Sequence, residues 1–200
     1  MTIRVVLATG NAHKVAEVQR ILATASADIE VLPLPTDAPT PVEDGETFAE
    51  NALIKARSAA AHTGLPAMAD DSGICVEALN GMPGIFSARW SGTHGSDVEN
   101  LLLLLAQMRD VPATRRGASF VCAAAVVSPS GAERVVEGTV DGTLTDEPRG
   151  VGGFGYDPAF QPHGYERTTA ELSPEEKDAI SHRGAAFRAL APIMRELLGE

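Results

Sequence analysis

Residues 3–14, IRVVLATGNAHK, set the fold class of this chain. The stretch opens with the β-branched run Ile3–Leu7, which is typical of a short buried strand, and it reaches a turn at Thr9–Asn11. Beyond the turn, apolar residues recur at helical spacing: Val15, Val18, Ile21 and Leu22. This order of strand, tight turn and helix predicts an α/β fold in which helices pack on a sheet.

Outward from this unit, further helices are predicted from capping residues that precede periodic apolar patterns. They follow Thr47, Ser96, Ser173 and Ser181. A glutamate three residues on completes a capping box for the first three: Glu50, Glu99 and Glu176. The helix after Thr47 has an alanine face and is expected to run to about His62. The helix after Ser96 contains the leucine run 101–105 and is expected to be buried.

The remaining segments favour strands and loops. Short strands over 66–69 and 74–76 are predicted to bracket an acidic turn at 70–73, and three segments over 119–127, 133–140 and 142–145 predict an antiparallel meander. The proline-rich stretch 33–41 and the glycine-rich stretch 150–158 are predicted to be loops. Together these patterns indicate a mixed central β-sheet flanked by helices.

Length, composition and charge exclude several classes of protein. The chain of 200 residues is 44% hydrophobic and 22% charged, which predicts one globular domain over residues 1–200. A net charge of −11 disfavours nucleic acid and anionic membranes as partners, and no apolar run approaches the roughly 20 residues that span a bilayer. No export signal is recognised, and Cys75 and Cys122 lack metal-binding spacing, so a cytoplasmic location with reduced thiols is expected.

The first turn is a candidate phosphate site. Residues 9–14 offer backbone N–H groups at a helix start, with Lys14 in the first helical turn. The segment matches neither of the common glycine-rich phosphate motifs, and many such turns only cap a helix. Taken alone, it therefore favours an ordinary helix cap.

Two acidic pairs, Glu43-Asp44 and Asp70-Asp71, are candidate metal ligands. Carboxylate oxygens suit Mg²⁺, and substrate phosphates complete its coordination. Acidic pairs are usually solvated, which is the preferred interpretation of each pair alone. Asp70-Asp71 is the stronger candidate because apolar segments on both sides would bring it to the ends of buried strands at a sheet edge, where a carboxylate needs a partner.

Several basic residues leave alternatives open. Lys55 and Arg57 lie off the alanine face of their helix and alone indicate surface charges. Lys177, His182 and Arg183 flank the junction of the last two helices, where cations oppose the helix dipole unless an anion is present. An anionic ligand and simple surface exposure are both compatible with this group.

The aromatic residues of the glycine-rich loop are equally open. Phe154 and Tyr156 could stack on a planar ring or could anchor the loop against the protein. Covalent catalysis is disfavoured, since Gly-x-Ser-x-Gly is absent and both cysteines lie in apolar surroundings that raise a thiol pKa.

Six blocks of sequence, in order and spanning nearly the whole chain, resemble the inosine/xanthosine triphosphate pyrophosphatase family. They are TGNAHK at 9–14, TFAENA at 47–52, ADDSG at 69–73, PGIFSAR at 83–89, GGFGYDP at 152–158 and KDAISHRG at 177–184. The resemblance implies hydrolysis of deaminated purine nucleoside triphosphates (ITP, dITP, XTP) to the monophosphate and pyrophosphate, with Mg²⁺, in a homodimer. It also implies two lobes with the active site in a cleft between them.

The resemblance assigns roles to residues of this sequence. It implies that Asp71 is the catalytic carboxylate and a metal ligand, and that Glu43 is the second metal ligand. The substrate-binding positions that it implies are Thr9, Gly10, Asn11, Ala12, His13, Lys14, Lys55, Ser72, Phe154, Gly155, Tyr156, Asp157, Lys177, His182 and Arg183. Within this set, the turn 9–14 and Lys55 would contact the phosphates.

The implied chemistry agrees with the charges present. Mg²⁺ and a local group of lysines, Lys14, Lys55 and Lys177, would hold a triphosphate despite the net charge of −11. Asp71 would orient or deprotonate the attacking water. Donors from His182, Arg183 or backbone N–H groups toward the purine 6-oxo oxygen would reject adenine, and guanine would be rejected if the pocket had no room or acceptor for its 2-amino group.

Two other functions remain as alternatives. A regulator that binds nucleotide without hydrolysing it would not need paired acids beside a phosphate turn. A pyrophosphatase for modified pyrimidines would keep the phosphate-binding residues but would not require the purine-side groups Phe154, His182 and Arg183.

Overall fold

A computed structural model of the chain describes residues 2–26 and 28–199. Among these residues, the strands are β1 (Ile3–Leu7), β2 (Ile29–Pro33), β3 (Ala67–Val76), β4 (Gly117–Val127), β5 (Glu133–Leu144) and β6 (Phe160–Pro162). They form one sheet in the order β2-β1-β3-β4-β5-β6. Both neighbours of β1 run parallel to it, and β6 runs antiparallel to β5, so the predicted mixed sheet is confirmed.

The predicted helices are present in the described part of the chain. They are α1 (Ala12–Ala25), α2 (Phe48–Thr63), α3 (Asp97–Gln107), α4 (Pro174–Ile180) and α5 (His182–Leu198). The capping boxes of α2 and α4 form as predicted, with Thr47 and Glu50 at one helix and Ser173 and Glu176 at the other. Searching the described residues finds no helix with the length and apolar character needed to cross a membrane.

The prediction for α3 was wrong in two respects. Ser96 makes no side-chain capping bond, because its ψ of 69° departs from the extended conformation that a capping residue normally adopts. The helix is also only partly buried: Leu101 and Leu104 enter the core, whereas Val98 and Leu102 are 65% and 54% exposed. The leucine run covers more of the helix surface than the sheet side can bury.

The strand prediction also needs correction at two places. β2 was not predicted; it is short, lies at the sheet edge and ends in Pro33, the last residue of its register with β1. Segments 133–140 and 142–145 form the single strand β5. Gly142 is not a turn residue; a Cβ at this position would lie 2.3 Å from the backbone oxygen of Gln161, so β6 requires glycine there.

The acidic segment 70–73 is part of a strand, not a turn. β3 runs unbroken through it and lies inside the sheet between β1 and β4. Its pairing with β1 extends only to Met68, which is opposite Leu7. Asp70 and Asp71 therefore lie just beyond the carboxyl end of β1, and a buried strand tolerates them because each has a cationic partner, described below.

The chain divides into two compact units. The first comprises the described residues of Met1–Asp71, Cys122–Gly138 and His182–Glu200. In it, alternate residues of β1, β3 and β4 face two separate cores, one shared with α1 and α5 and the other with α2. The core on the α2 side is built mainly of alanine: Ala52, Ala56, Ala59, Ala60, Ala67, Ala69, Ala123 and Ala125.

The second unit comprises Ser72–Val121 and Thr139–Ser181. Its core contains the buried face of α3 and an edge-to-face pair, Phe120 and Phe160, with ring centroids 4.7 Å apart. Buried Arg116 donates to four backbone oxygens that end α3 and β5: Met108, Val111, Leu144 and Thr145. This one side chain satisfies carbonyl groups that helix and strand ends otherwise leave without partners.

Candidate active site

The two aspartates of β3 face opposite sides of the sheet, as successive strand residues do. Asp70 accepts Lys14 Nζ at 3.1 Å and Arg183 Nη2 at 3.2 Å, and its side chain is fully buried. Burial alone would raise the pKa of Asp70, but the charges of Lys14, Arg183 and Lys55 outweigh it and hold the pKa well below its usual range. Asp70 is therefore a carboxylate at neutral pH.

Arg183 joins Asp70 to a second buried acid. Its guanidinium is 2% exposed and also donates to the carboxylate of Glu17 on α1. The two acids raise the pKa of Arg183 despite its burial, so its charge is fixed. The negative charge expected beside these cations is thus supplied by two acids of the protein itself. His182 is buried as well, so the alternative of simple surface exposure is wrong for both residues.

Asp71 contacts α2 on the other side of the sheet. Lys55 Nζ lies 2.9 Å from Asp71 Oδ1 and 2.9 Å from Glu43 Oε2, so one ammonium joins both predicted metal ligands. The prediction that Lys55 alone is a surface charge was wrong, because its side chain is only 13% exposed. Arg57 does lie at the surface, where it pairs with Glu133.

Asn51 is a member of this group that the sequence analysis gave no role. Its Nδ2 donates to Asp71 Oδ2 at 3.3 Å, and its Oδ1 accepts the backbone N–H of Gly45 at 2.9 Å. One buried amide thereby ties Asp71 to the loop that carries Glu43. The available signal was a polar residue next to the alanine face of an amphipathic helix, where burial requires hydrogen bonds.

The pKa shifts in this group have opposing causes. Burial raises the pKa of the Asp71 carboxyl above its usual range, and the attraction of Lys55 offsets only part of that effect. Burial lowers the pKa of Lys55, but the negative charges of Asp71, Asp70 and Glu43 raise it by more than burial lowers it. The ammonium therefore stays charged. A carboxylate with a raised pKa is a better proton acceptor than a free one.

The donor set fits a divalent cation. Glu43 and Asp71 already share one cation, the Lys55 ammonium, and both supply the hard oxygen ligands that Mg²⁺ takes. The described residues contain no cluster of three or more His, Cys, Asp or Glu side chains with metal-binding geometry.

The turn 9–14 forms the start of α1 as predicted. Asn11 Oδ1 accepts the backbone N–H groups of His13 and Lys14, and Thr9 Oγ1 accepts that of Asn11. The helix start is therefore capped by its own side chains. Residues Gly10 to His13 are exposed at the surface, where an incoming anion would compete with this cap.

The second unit holds a separate group centred on Asp157. Asp157 Oδ2 accepts the backbone N–H of Phe154 at 2.8 Å and Lys177 Nζ at 2.6 Å, while Oδ1 accepts Thr169 Oγ1 at 2.8 Å. Asp157 is 3% exposed, so it acts as a buried acceptor that holds the glycine-rich loop and Lys177 together. The Lys177 ammonium also lies 4.9 Å from the centroid of the Phe154 ring.

The two aromatic residues of the glycine-rich loop, Phe154 and Tyr156, differ in their surroundings. Tyr156 is buried in the core of this unit, and its hydroxyl donates to the backbone oxygen of Ser87 at 2.8 Å. Tyr156 therefore anchors the loop. Phe154 is only half-buried, which leaves it as the loop aromatic available to a planar ring.

Gly153→Ala is expected to destabilise the protein more than Gly155→Ala, although both glycines have positive φ. A Cβ on Gly153 would lie 2.1 Å from Asp157 Oδ2, which cannot retreat without giving up Phe154 N and Lys177. A Cβ on Gly155 meets nothing within 4 Å. Urea unfolding should show a loss of about 2–4 kcal/mol for the first variant and about 1 kcal/mol for the second. Equal losses would contradict the assigned contact.

The predicted site residues thus fall into two groups, one in each unit. The first unit contains the turn 9–14, Glu43, Lys55, Asp71, His182 and Arg183. Within it, Asp70 pairs with Lys14 and Arg183, and Lys55 joins Glu43 to Asp71. The second unit holds Ser72, Phe154, Gly155, Tyr156, Asp157 and Lys177. Glu17 had been given no role, and Asp70, predicted as a candidate metal ligand, is paired with Lys14 and Arg183 instead.

Known proteins resemble this chain over nearly its whole length. The model of the Ham1 family matches residues 5–193. A dITP/XTP pyrophosphatase of Streptomyces coelicolor is 59% identical, covering 98% of this chain and 99% of the relative. A crystal structure titled nucleoside-triphosphatase, or dITP/XTP pyrophosphatase, of Mycobacterium abscessus is 53% identical at TM-score 0.74, covering 96% of this chain and all of that one. A HAM1 protein of Coxiella burnetii is 42% identical at TM-score 0.87, covering 98% and 100%.

Proposed function

Since the chain belongs to the Ham1 family, we propose that it hydrolyses the deaminated purine nucleoside triphosphates dITP, ITP and XTP to the monophosphate and pyrophosphate. Removal of these compounds would clear damaged nucleotides from the precursor pool. The observation that carries the proposal is the placement of Asp71, which is buried beyond the end of β1 and shares a cation with Glu43.

The roles of the first unit follow from its contacts. Asp71 has the raised pKa that suits a proton acceptor, so it orients and deprotonates the attacking water. Asn51 fixes one oxygen of Asp71 and leaves the other directed at the shared cation. Lys14 and the exposed start of α1 receive phosphate oxygens, because a helix start and an ammonium both attract anions. Glu43 and Asp71 would hold Mg²⁺, which when bound polarises the phosphoryl group and neutralises the leaving pyrophosphate.

The purine contacts are assigned to fewer side chains than the resemblance implied. Phe154 is proposed to stack on the base, and Lys177, held by Asp157, lies beside that ring. Tyr156 supports the loop through its anchor on Ser87 and does not stack. The buried Arg183 guanidinium is proposed to hold Asp70 and Glu17 in place, so donors to the 6-oxo oxygen come from other groups, among them backbone N–H groups of the loop.

Release of pyrophosphate from a panel of triphosphates tests this function. With Mg²⁺, kcat/KM for dITP and XTP is expected to exceed that for dATP by at least about 100-fold, because adenine would leave buried polar groups without partners. Omitting Mg²⁺ should remove nearly all turnover. Comparable rates for GTP and ITP would defeat the proposed exclusion of guanine. Binding without any turnover would favour a regulator, and turnover of modified pyrimidines alone would favour the other alternative.

Two further properties are proposed from the family resemblance. The first is a homodimer, which sedimentation equilibrium tests directly. The second is a cytoplasmic location, which the two free cysteines support because reduced thiols are usual there.

A further inference from the structure

The Lys55 ammonium bridges the two acids that are proposed to hold a metal ion. Its nitrogen is 2.9 Å from one oxygen of Asp71 and 2.9 Å from one oxygen of Glu43. Asn51 holds the second oxygen of Asp71, at 3.3 Å. A divalent cation bound at Asp71 Oδ1 and Glu43 Oε2, the two oxygens that now accept from Lys55, would take the place of that ammonium.

The charges argue that the two cations exclude each other. Glu43 and Asp71 together carry two negative charges, which the Lys55 ammonium neutralises in part. A divalent cation between the same oxygens would lie within a few ångströms of that ammonium, and like charges so close together in a partly buried site repel strongly. The ammonium must leave the two acids before the site can hold the metal well.

The Lys55 ammonium is able to move away from Glu43 and Asp71. Its flexible four-carbon stem lets the ammonium move while the backbone of α2 stays in place. Away from the acids it needs another anion, since its charge is retained. Under the proposed function, a triphosphate supplies that anion at the exposed start of α1.

We propose that Lys55 is an internal counterion that competes with the divalent cation for Glu43 and Asp71, and that the triphosphate relieves this competition by drawing the ammonium to itself. The triphosphate part of this inference rests on the proposed function; the competition itself does not. Nucleotide and metal then raise each other's affinity, because coupling between two ligands is reciprocal. Without nucleotide, Glu43 and Asp71 bind the divalent cation weakly, so the metal is bound at Asp71 mainly when substrate is present.

Binding of Mn²⁺ alone to the full chain, followed by electron paramagnetic resonance, tests the competition. Lys55→Met is expected to bind Mn²⁺ at least about tenfold more tightly than wild type, because the competing charge is gone. Lys55→Gln, whose amide still donates to the acids without a charge, is expected to gain in the same direction. Arg57→Met removes a cation from the same helix that pairs with Glu133 at the surface, and it should leave the affinity unchanged. Adding Glu43→Gln to Lys55→Met should abolish the gain.

Each outcome bears on one of the two proposals. Equal or weaker Mn²⁺ binding by folded Lys55→Met and Lys55→Gln would overturn the inference, and would leave the proposed function standing if wild type releases pyrophosphate from dITP. A gain in Mn²⁺ affinity in a protein that hydrolyses no triphosphate would support the competition and overturn the function. Far-ultraviolet circular dichroism identifies which variants are folded.

Discussion

Asp71→Asn is expected to lower kcat for dITP hydrolysis by about 10³-fold, the scale of losing a positioned proton acceptor. The amide keeps the shape of the carboxylate but can neither take a proton from water nor contribute a charge to a metal site. Dissociation constants for dITP, measured by calorimetry, should change far less than kcat. Such a split would place the residue in the chemical step and not in nucleotide binding.

Asp44→Asn is the matched control for this variant. Asp44 is next to Glu43 in the sequence, but its side chain is exposed. The Lys55 ammonium donates to Glu43 and Asp71. Removal of the Asp44 carboxylate changes the net charge of the protein by the same amount and should leave kcat within about twofold. If Asp71→Asn retained turnover within a few-fold of wild type, another group would have to accept the proton.

Arg183→Met is expected to lower the free energy of unfolding by about 3–5 kcal/mol, as when one partner of a buried ion pair is removed. The guanidinium is 2% exposed and holds Asp70 and Glu17, so its loss leaves two buried carboxylates short of a cation. Urea unfolding at neutral pH measures the change. Arg195→Met is the control, since Arg195 pairs with Asp28 at the surface, and it should cost much less.

Acid unfolding separates this ion-pair effect from a packing effect. The pKa of Asp70 is depressed in the folded state relative to its ordinary value of 3.8. Its stabilising contribution is therefore complete above that value and declines as the pH falls below it. Arg183→Met should lose part of this acid dependence, because the Asp70 carboxylate then keeps only Lys14 of the two cations that it contacts. An unchanged acid dependence would assign the loss to packing alone.

Local signals in the sequence were sufficient for much of the fold. The helix starts at Thr47 and Ser173 were predictable because the capping pair lies within one turn of each helix. The strand, turn and helix of residues 3–14 were predictable for the same reason. By contrast, Ser96 carries the same pattern without the bond, because the backbone there does not adopt the required conformation.

Features that depend on distant partners were not predictable. β2 is a strand through its register with β1, and its own five residues carry little signal. Asp70 and Asp71 resembled a turn because charges rarely lie within strands, and their cationic partners are Lys14, Arg183 and Lys55 from other parts of the chain. Arg183 is 113 residues from Asp70 along the chain, so no spacing rule could have paired them.

The candidate site was predicted in part. The family resemblance selected Asp71, Glu43 and Lys55, and the structure brings these three side chains into contact. It did not reveal which of the assigned residues are buried inside the protein. Arg183 and Tyr156 are buried against other protein groups, and Asn51 was overlooked since an asparagine on a helix has no chemistry that stands out.

The alanine-lined contact between α2 and the sheet affects how firmly the side chains on α2 are positioned. Methyl groups have no rotamers, so this helix cannot shift by exchanging one side-chain packing for another. A layer of leucines would fill the same role but would offer several nearly equivalent fits. Because Ala52 and Ala56 are buried against the sheet, the stretch of backbone that carries Asn51 and Lys55 is held by side chains with no alternative rotamer.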